Sequence, residues 1–388
     1  MVKRGIRIGL VILAIVAVAG IWKRHELMRL NAVLSLFSED KIVSNFSSMG
    51  QIFVSAPIPA TGTSTPLPEA TPMLLPADWQ DWVDRRSVTA AVVVKQGAIV
   101  HESYHQGTGQ LDQRISWSMA KSYLSALFGI LLEQGVIASI DDPVTTYAPS
   151  LKGTAYSEAS IKDVLQMSSG VVFDEDYLDF WSDINKMGRI LALGGSMDGF
   201  AEGLSETFTK PGTEWQYVSI DTHVLGMVVR GATGRPVAEL LGEHILGPMG
   251  AYGNPHYVTD GYGVAFVLGG LNLTTRDYAR FGELVRTDGA FQGQQLVPAA
   301  WLAQSIQPSA NTKPGKIQYG YQWWIPEDAR PGEVLARGVY GQFIYIDKEN
   351  GAVVAINSAD RQFRDPGAFD DALEMMRRLA ATPVKGNG

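Results

Sequence analysis

Apolar positions recur at helical spacing over residues 122–135, where Tyr123, Leu124, Leu127, Phe128, Leu131 and Leu132 form one stripe. That pattern predicts a helix with a buried face. Residues 89–94 and 99–104 are instead rich in β-branched side chains and flank Lys95-Gln96-Gly97-Ala98, which predicts a hairpin about a glycine turn. Further helices are expected near 161–167, over 185–193, 221–232 and 236–246, and over 278–287 behind a Thr274-to-Asp277 capping box. Residues 319–325 and 334–347 read as strands. Lys348-Glu349-Asn350-Gly351 then turns the chain into a strand over 352–358. A closing amphipathic helix runs to about residue 381, with Asp365 as its expected N-cap and Pro366 at its first position.

Strands therefore cluster at both ends of this region and helices lie between them. The simplest packing joins the strand groups of residues 79–115 and 319–381 into one antiparallel sheet with the terminal helices on its faces, and leaves 116–318 as a mainly helical subdomain. The expected class is α+β. Binding sites commonly lie where such subdomains meet.

The first 78 residues follow different rules. Lys3, Arg4 and Arg7 precede an apolar run over 8–22 that Lys23 and Arg24 close, which marks residues 1–25 as a targeting element. The run is near the lower length for a membrane span, and no strongly polar stretch follows Ala17-Val18-Ala19. An uncleaved signal anchor is therefore favoured over a cleaved signal peptide. Either one exports the rest of the chain to the periplasmic side of the cell membrane, with the inner membrane as partner. Within 26–78, residues up to 37 suit a juxtamembrane amphipathic helix, and 56–76, rich in Pro, Thr and Ala, an extended linker. The globular body is expected from Trp79.

Composition narrows the chemistry. The 388 residues include no cysteine, which excludes disulfides, thiolate catalysis and Cys-ligated zinc. Six histidines are too scattered to suggest a metal site. A net charge of −8 and the lack of a basic cluster argue against a nucleic-acid partner.

Ser118-Met119-Ala120-Lys121 opens the helical stripe. A serine and a lysine three apart share one helix face, with Cβ atoms about 5–6 Å apart. A helix start also presents unpaired N–H groups that suit a developing anion. A hydroxyl is a weak nucleophile until a base takes its proton, and a lysine can be that base where desolvation or a nearby cation lowers its pKa. On spacing alone an ordinary N-cap serine with a solvated lysine fits as well. Ser38-Glu39-Asp40-Lys41 repeats the pattern among polar residues, heads no long apolar stretch and reads as surface.

Several further segments stand in the order of a known family: residues 165–170 (Leu-Gln-Met-Ser-Ser-Gly), Tyr217-Val218-Ser219, Leu268-Gly269-Gly270-Leu271 through Gly282, and a strand containing Gly338. With the S-x-x-K pair, the chain over residues 79–381 resembles the class C β-lactamase-related serine hydrolases, in particular their esterase and 6-aminohexanoate-dimer hydrolase members. The resemblance implies a serine β-lactamase/DD-peptidase-like fold, no cofactor, no metal, and acyl transfer on a small-molecule ester or amide. It implies Ser118 as nucleophile, Lys121 and Tyr217 in proton transfer, and Ser219 beside them. It also implies an oxyanion hole from the Ser118 and Val339 N–H groups, a Gly338 that lets substrate approach the strand, and Tyr177 as a contact in a mobile substrate loop. Which of Lys121 and Tyr217 is the general base stays open. By spacing alone Tyr217 reads as a half-buried aromatic, and Tyr252-Gly253-Asn254 is a second match in a surface loop.

One departure bears on substrate. Where the family carries Lys-Thr-Gly or His-Thr-Gly, this chain reads Ala336-Arg337-Gly338-Val339. Ala336 removes a cation that binds a substrate carboxylate, and strand alternation points Arg337 to the opposite face. This argues against a β-lactamase or DD-carboxypeptidase, the alternative enzyme reading. An alternative of another class is a catalytically silent, membrane-tethered module that binds peptidoglycan, against which the joint presence of Ser118, Lys121 and Tyr217 argues. His101-Glu102-Ser103-Tyr104-His105 matches a zinc signature in letters, but that signature needs a helix and this segment is expected as strand. Of the adjacent Trp323 and Trp324, alternation assigns one to the core and the other to the cleft.

Overall fold

The computed structural model describes residues 22–60, 62, 66–315 and 317–384, together with Leu10 and Leu13. Its strands are β1 (Ser55–Pro57), β2 (Val88–Lys95), β3 (Ala98–Tyr104), β4 (Arg114–Ile115), β5 (His256–Val258), β6 (Leu271–Leu273), β7 (Ala290–Phe291), β8 (Gln294–Gln295), β9 (Gln318–Tyr319), β10 (Trp324–Ile325), β11 (Glu333–Gly338), β12 (Gln342–Asp347) and β13 (Ala352–Ser358). The N-terminal hairpin joins the C-terminal strands in a seven-stranded antiparallel sheet, in the order β3-β2-β13-β12-β11-β10-β9. The helices that shape the core and the site are α1 (Arg24–Leu34), α2 (Trp79–Arg85), α3 (Ala120–Glu133), α4 (Asp183–Leu193), α5 (Ser219–Thr233), α6 (Thr275–Arg286) and α7 (Ala368–Ala381).

Both terminal helices lie on one face of the sheet. Trp79 and Trp82 of α2 and Met376 and Leu379 of α7 pack there with Leu335, Phe343 and Tyr345. Helix α6 covers the other face. A Cβ on Gly282 would stand 2.4 Å from a Val353 methyl, so only glycine lets α6 lie this close to β13. Helix α3 is buried from Ala120 through Leu131, and Tyr123 stacks on Phe281 of α6 at 3.7 Å. A helix apolar on nearly all sides belongs inside the molecule, and its N-terminal turn is thereby held from many directions.

The structure departs from the sequence-based expectations at several points. Residues 56–76 are no free linker. Strand β1 pairs with β5, Glu69 bridges to Ile99, and Ile58, Leu67 and Met73 are buried. Upstream, Ile42, Phe46, Met49 and Phe53 join the main core, so packing begins well before Trp79. Edge pairing uses backbone groups that any sequence supplies, and isolated apolar residues among prolines give no period to read. Residues 116–318 also give two strands, β5 and β6, to a four-stranded sheet, β1-β5-β6-β4, whose outer strands β1 and β4 come from upstream. Residues 319–325 are two short strands about a turn with Gln322 at φ 64°, not one. Helix α6 starts at Thr275, directly behind the Thr274 cap, and α7 takes Gly367 at φ 78° as its N-cap, leaving Asp365 and Pro366 in the preceding turn. Helix α1 does form where the amphipathic pattern places it. The expected apolar span over 8–22 lies outside the described residues, apart from isolated positions; among the described residues no helix is long and apolar enough to cross a membrane.

Candidate active site

Ser118 occupies the 3-10 turn Trp117–Met119 that leads into α3, and Lys121 follows on the first turn of the helix. The turn is strained. Trp117 has φ 44°, a left-handed conformation that costs a bulky residue free energy and persists only where its surroundings impose it. Here Ser116 donates its N–H to the Leu271 carbonyl at 2.8 Å, and the Trp117 ring sits 5.7 Å from Phe37 and 5.5 Å from Phe46. Strand β11 passes close by. A Cβ on Gly338 would stand 2.6 Å from the Ser116 carbonyl oxygen. Gly338 is therefore required by the approach of two backbones, before any substrate enters.

Lys121 is buried, and its amine has no hydrogen-bond partner. Burial lowers its pKa to about 7, against the opposing pull of Glu175 and Asp221. The amine lies 5.5 Å from the centroid of the Tyr217 ring. The Ser118 and Ser219 side chains act on the Tyr217 hydroxyl and tend to lower its pKa. Burial first, and the Glu175 carboxylate second, raise the Tyr217 pKa and keep it a phenol. The ring is fixed by stacking on Trp324 at 5.0 Å and by the edge of Tyr319 at 6.3 Å. Asp221 stands behind the amine. Its Oδ1 accepts from the Tyr156 hydroxyl at 2.7 Å and the Ser169 hydroxyl at 2.8 Å, and burial raises its pKa to about 7. This assigns the Ser168-Ser169-Gly170 segment a place, orienting a buried carboxyl group near the lysine.

The sequence reading missed Glu175. Its Oε2 accepts the Ser219 N–H at 2.9 Å, and its Oε1 accepts from the Ser219 and Tyr177 hydroxyls, each at 2.5 Å. One carboxylate thus ties the 171–210 region to the start of α5. Asp174-Glu175-Asp176 reads as a solvated acidic stretch, and nothing in its spacing marks the middle member as the one that turns inward.

Two spaces meet at Ser118. An open cleft of about 440 Å³ is lined by Ser118, Glu175, Tyr217, Trp324, Arg337 and Arg364. A narrower, apolar cavity of about 100 Å³ also meets Ser118. Tyr177 and Val339 border both spaces, and Ser219 borders the narrower one. Alternation places Ala336 in the core beside Ile344 and Arg337 on the opposite face, its guanidinium 4.2 Å from the Phe369 ring centroid and 5.6 Å from that of Trp324. The face is as expected, yet Arg337 still lines the cleft, which therefore has a cation despite Ala336. Burial lowers the Arg337 pKa to about 10, and it forms no ion pair among the described residues. Trp323 is fully buried and Trp324 lines the cleft.

The rival motifs lie elsewhere. Tyr252 packs under the Arg280 guanidinium at 4.4 Å and borders neither space. Ser38 bonds the Ser35 carbonyl at 2.9 Å in a turn, and Lys41 is exposed. His101 lies in β3 and His105 just beyond it; both turn their Nε2 to the Ser103 hydroxyl, at 3.0 and 3.1 Å. Among the described residues no cluster of side chains is suited to a metal ion.

Comparison with known proteins agrees with this geometry. The model of the Beta-lactamase family matches residues 80–376. The chain is 27% identical over 328 residues to the 6-aminohexanoate-dimer hydrolase of Paenarthrobacter ureafaciens, covering 80% of this chain and 83% of that protein. A solved structure named "Putative 6-aminohexanoate-dimer hydrolase from Bacillus anthracis" superimposes with a TM-score of 0.75 at 23% identity, over 90% of this chain and 97% of that one. A D-stereospecific amidohydrolase from Streptomyces sp. shares the fold with a TM-score of 0.55 at 16% identity, over 76% and 98% of the two chains. The match across most of its length, on a fold whose sheet and buried helix bring a serine, a lysine and a tyrosine together, places the chain in the Beta-lactamase family of serine hydrolases.

Proposed function

We propose that the protein hydrolyses a small ester or amide through an acyl-enzyme on Ser118. The observation that carries this reading is the buried, partnerless amine of Lys121 5.5 Å from the centroid of the Tyr217 ring, whose hydroxyl feels the Ser118 side chain. With a pKa near 7, Lys121 is substantially neutral at neutral pH and can take the Ser118 proton as the Oγ–carbonyl carbon bond forms. The N–H groups of Ser118 and Val339 hold the oxyanion, a contribution of a few kcal/mol per donor. Tyr217 is the proton donor in this scheme, because its raised pKa disfavours the phenolate a base would need. It gives its proton to the leaving oxygen or nitrogen as the acyl bond to that atom breaks, and Lys121 returns the proton taken from Ser118. Water then attacks the acyl carbon, passes a proton to Lys121, and Ser118 leaves with that proton.

Arg337 in the cleft favours a leaving group that carries a carboxylate, since an unpaired guanidinium offers a fixed donor fork to such a group. The name of one relative points to 6-aminohexanoate, an amine that carries a carboxylate, as one leaving group of this kind. The test is turnover of p-nitrophenyl esters, 6-aminohexanoate dimer and nitrocefin by wild type and Ser118→Ala. Comparable turnover by the variant would remove Ser118 as nucleophile. Preferential turnover of nitrocefin would favour the β-lactamase reading, and failure of a fluorophosphonate to label Ser118 a silent binding module.

Export is part of the proposal and rests on Lys3, Arg4, Arg7 and the apolar run over 8–22. Fractionation of cells expressing the full chain should place it with the membrane, facing the periplasm. Recovery in the cytosol would end that part of the proposal.

A further inference from the structure

The narrow cavity beside Ser118 has a wall that the family match does not include. Leu36, Phe37 and Phe53 form one side, upstream of residues 80–376, and Ile184, Gly188 and Leu191 of α4 form the other. The α4 residues stand at positions i, i+4 and i+7, which is one face of a helix. No Asp, Glu, Lys, Arg or His lines this cavity, whereas Glu175, Arg337 and Arg364 line the cleft that also meets Ser118. The serine thus sits on a boundary between an apolar and a charged compartment.

The position of the proton donor decides which half of the substrate enters which compartment. Tyr217 lines the cleft and not the cavity. A group that protonates the leaving atom must lie on the leaving-group side of the carbonyl. The leaving group therefore departs through the cleft, which leaves the cavity for the acyl group. Resting on the acyl-enzyme reading above, we infer that the N-terminal segment and α4 build an acyl-binding cavity selective for an uncharged, apolar acyl chain. A cavity of about 100 Å³ is small, but an apolar cavity of about 150 Å³ accepts a benzene-sized guest, so a short alkyl chain fits. A charged acyl terminus does not fit, because an ammonium taken out of water there meets no counter-charge. The substrate class that follows is an ester or amide of a short, uncharged fatty or aryl-alkyl acid. A 6-aminohexanoyl acyl group, with its terminal ammonium, is disfavoured.

Gly188 provides the test. A Cβ built there meets nothing within 4 Å, so the backbone of this cavity-lining position has room for a side chain to start. Replacing a helix-interior glycine also favours the helix. The experiment compares kcat/KM for p-nitrophenyl acetate, hexanoate and 6-aminohexanoate in wild type, Gly188→Ala, Gly188→Leu and Ser118→Ala, with folding followed by circular dichroism. In wild type, hexanoate should exceed 6-aminohexanoate by roughly tenfold or more, and Gly188→Leu should lose roughly tenfold or more on hexanoate while keeping acetate turnover. Gly188→Ala should fall between them, and it decides the matter if the leucine variant does not fold. Equal turnover of hexanoate and 6-aminohexanoate, or parallel effects of the folded Gly188 variants on acetate and hexanoate, would overturn the acyl-cavity assignment while leaving Ser118 chemistry intact. Residual wild-type activity in Ser118→Ala would instead overturn the reading on which it rests.

Discussion

A Cβ placed on Gly338 would come within 2.6 Å of the Ser116 carbonyl oxygen and 3.0 Å of the Trp117 Cβ. The strand that would supply one oxyanion donor and the turn that carries the nucleophile are thus in backbone contact. Gly338→Ala must push them apart by several tenths of an ångström or more. Displacements approaching 1 Å at a reacting centre cost about 10²-fold in rate. The variant should lose about that factor in kcat/KM for every substrate alike, with the fold retained by circular dichroism. A Gly338→Ala enzyme of wild-type activity would show that the contact does not position Ser118.

Lys121 makes the rate depend on pH near neutrality. Burial lowers its pKa to about 7 in the folded protein, far below that of an exposed lysine. If the neutral amine takes the Ser118 proton as proposed, kcat/KM should rise with pH through about 7 and level off above it. Lys121→Arg keeps the charge and cannot shed its proton, and should lose about 10²- to 10⁴-fold. The same shift sets a stability trend. Between about pH 7 and the unfolded lysine value the unfolded chain binds more protons, so this group's contribution to stability improves as pH rises across that window. A pH-rate profile and thermal melts over the same range check both signs.

Much of this arrangement is legible in the sequence, for physical reasons that differ by residue. The α3 stripe fixes a buried helix because its period is strong, and that helix carries Lys121 on its first turn directly behind the turn that holds Ser118. The central strands are legible because they are β-branched and bounded by turns such as Asn350-Gly351. Glu175 is not, because its inward turn depends on Ser219, 44 residues away, and a short acidic stretch is ordinarily solvated. Arg337 has the right face by alternation, but the length of its side chain brings it to the cleft, and alternation says nothing about reach. The N-terminal cavity wall is illegible for a third reason. Leu36, Phe37 and Phe53 are apolar residues in a segment of mixed composition, and their partners on α4 lie some 150 residues downstream.

Glu175→Gln isolates the charge that links the acidic stretch to the site. Glutamine has one carbonyl oxygen in place of two, so the Ser219 N–H and the Ser219 and Tyr177 hydroxyls can no longer all donate to this side chain. Leaving one buried donor unpaired costs about 1–3 kcal/mol. Removing the negative charge also withdraws a stabilising influence on protonated Lys121. The acid limb of the kcat/KM profile should therefore move to lower pH, by roughly half a unit to one unit. An unchanged or higher midpoint would mean that Glu175 acts on the loop alone.

Tyr217→Phe separates the two candidate proton-transfer groups. Phenylalanine keeps the stack on Trp324 and deletes only the hydroxyl on which Ser118 and Ser219 act. If Tyr217 protonates the leaving atom, its loss should depend on how badly that atom needs a proton. An amine expelled from an amide must be protonated as it leaves, so amide turnover should fall about 10²- to 10⁴-fold. p-Nitrophenolate leaves unaided, so acylation by a p-nitrophenyl ester should fall much less, and the burst of p-nitrophenol should persist. If Tyr217 were instead the base that activates Ser118, both substrates would lose the same factor, because attack by the hydroxyl precedes departure in each. The ratio of the two losses, measured by single-turnover kinetics on one variant, therefore assigns the base to Lys121 or to Tyr217 without relying on either absolute rate.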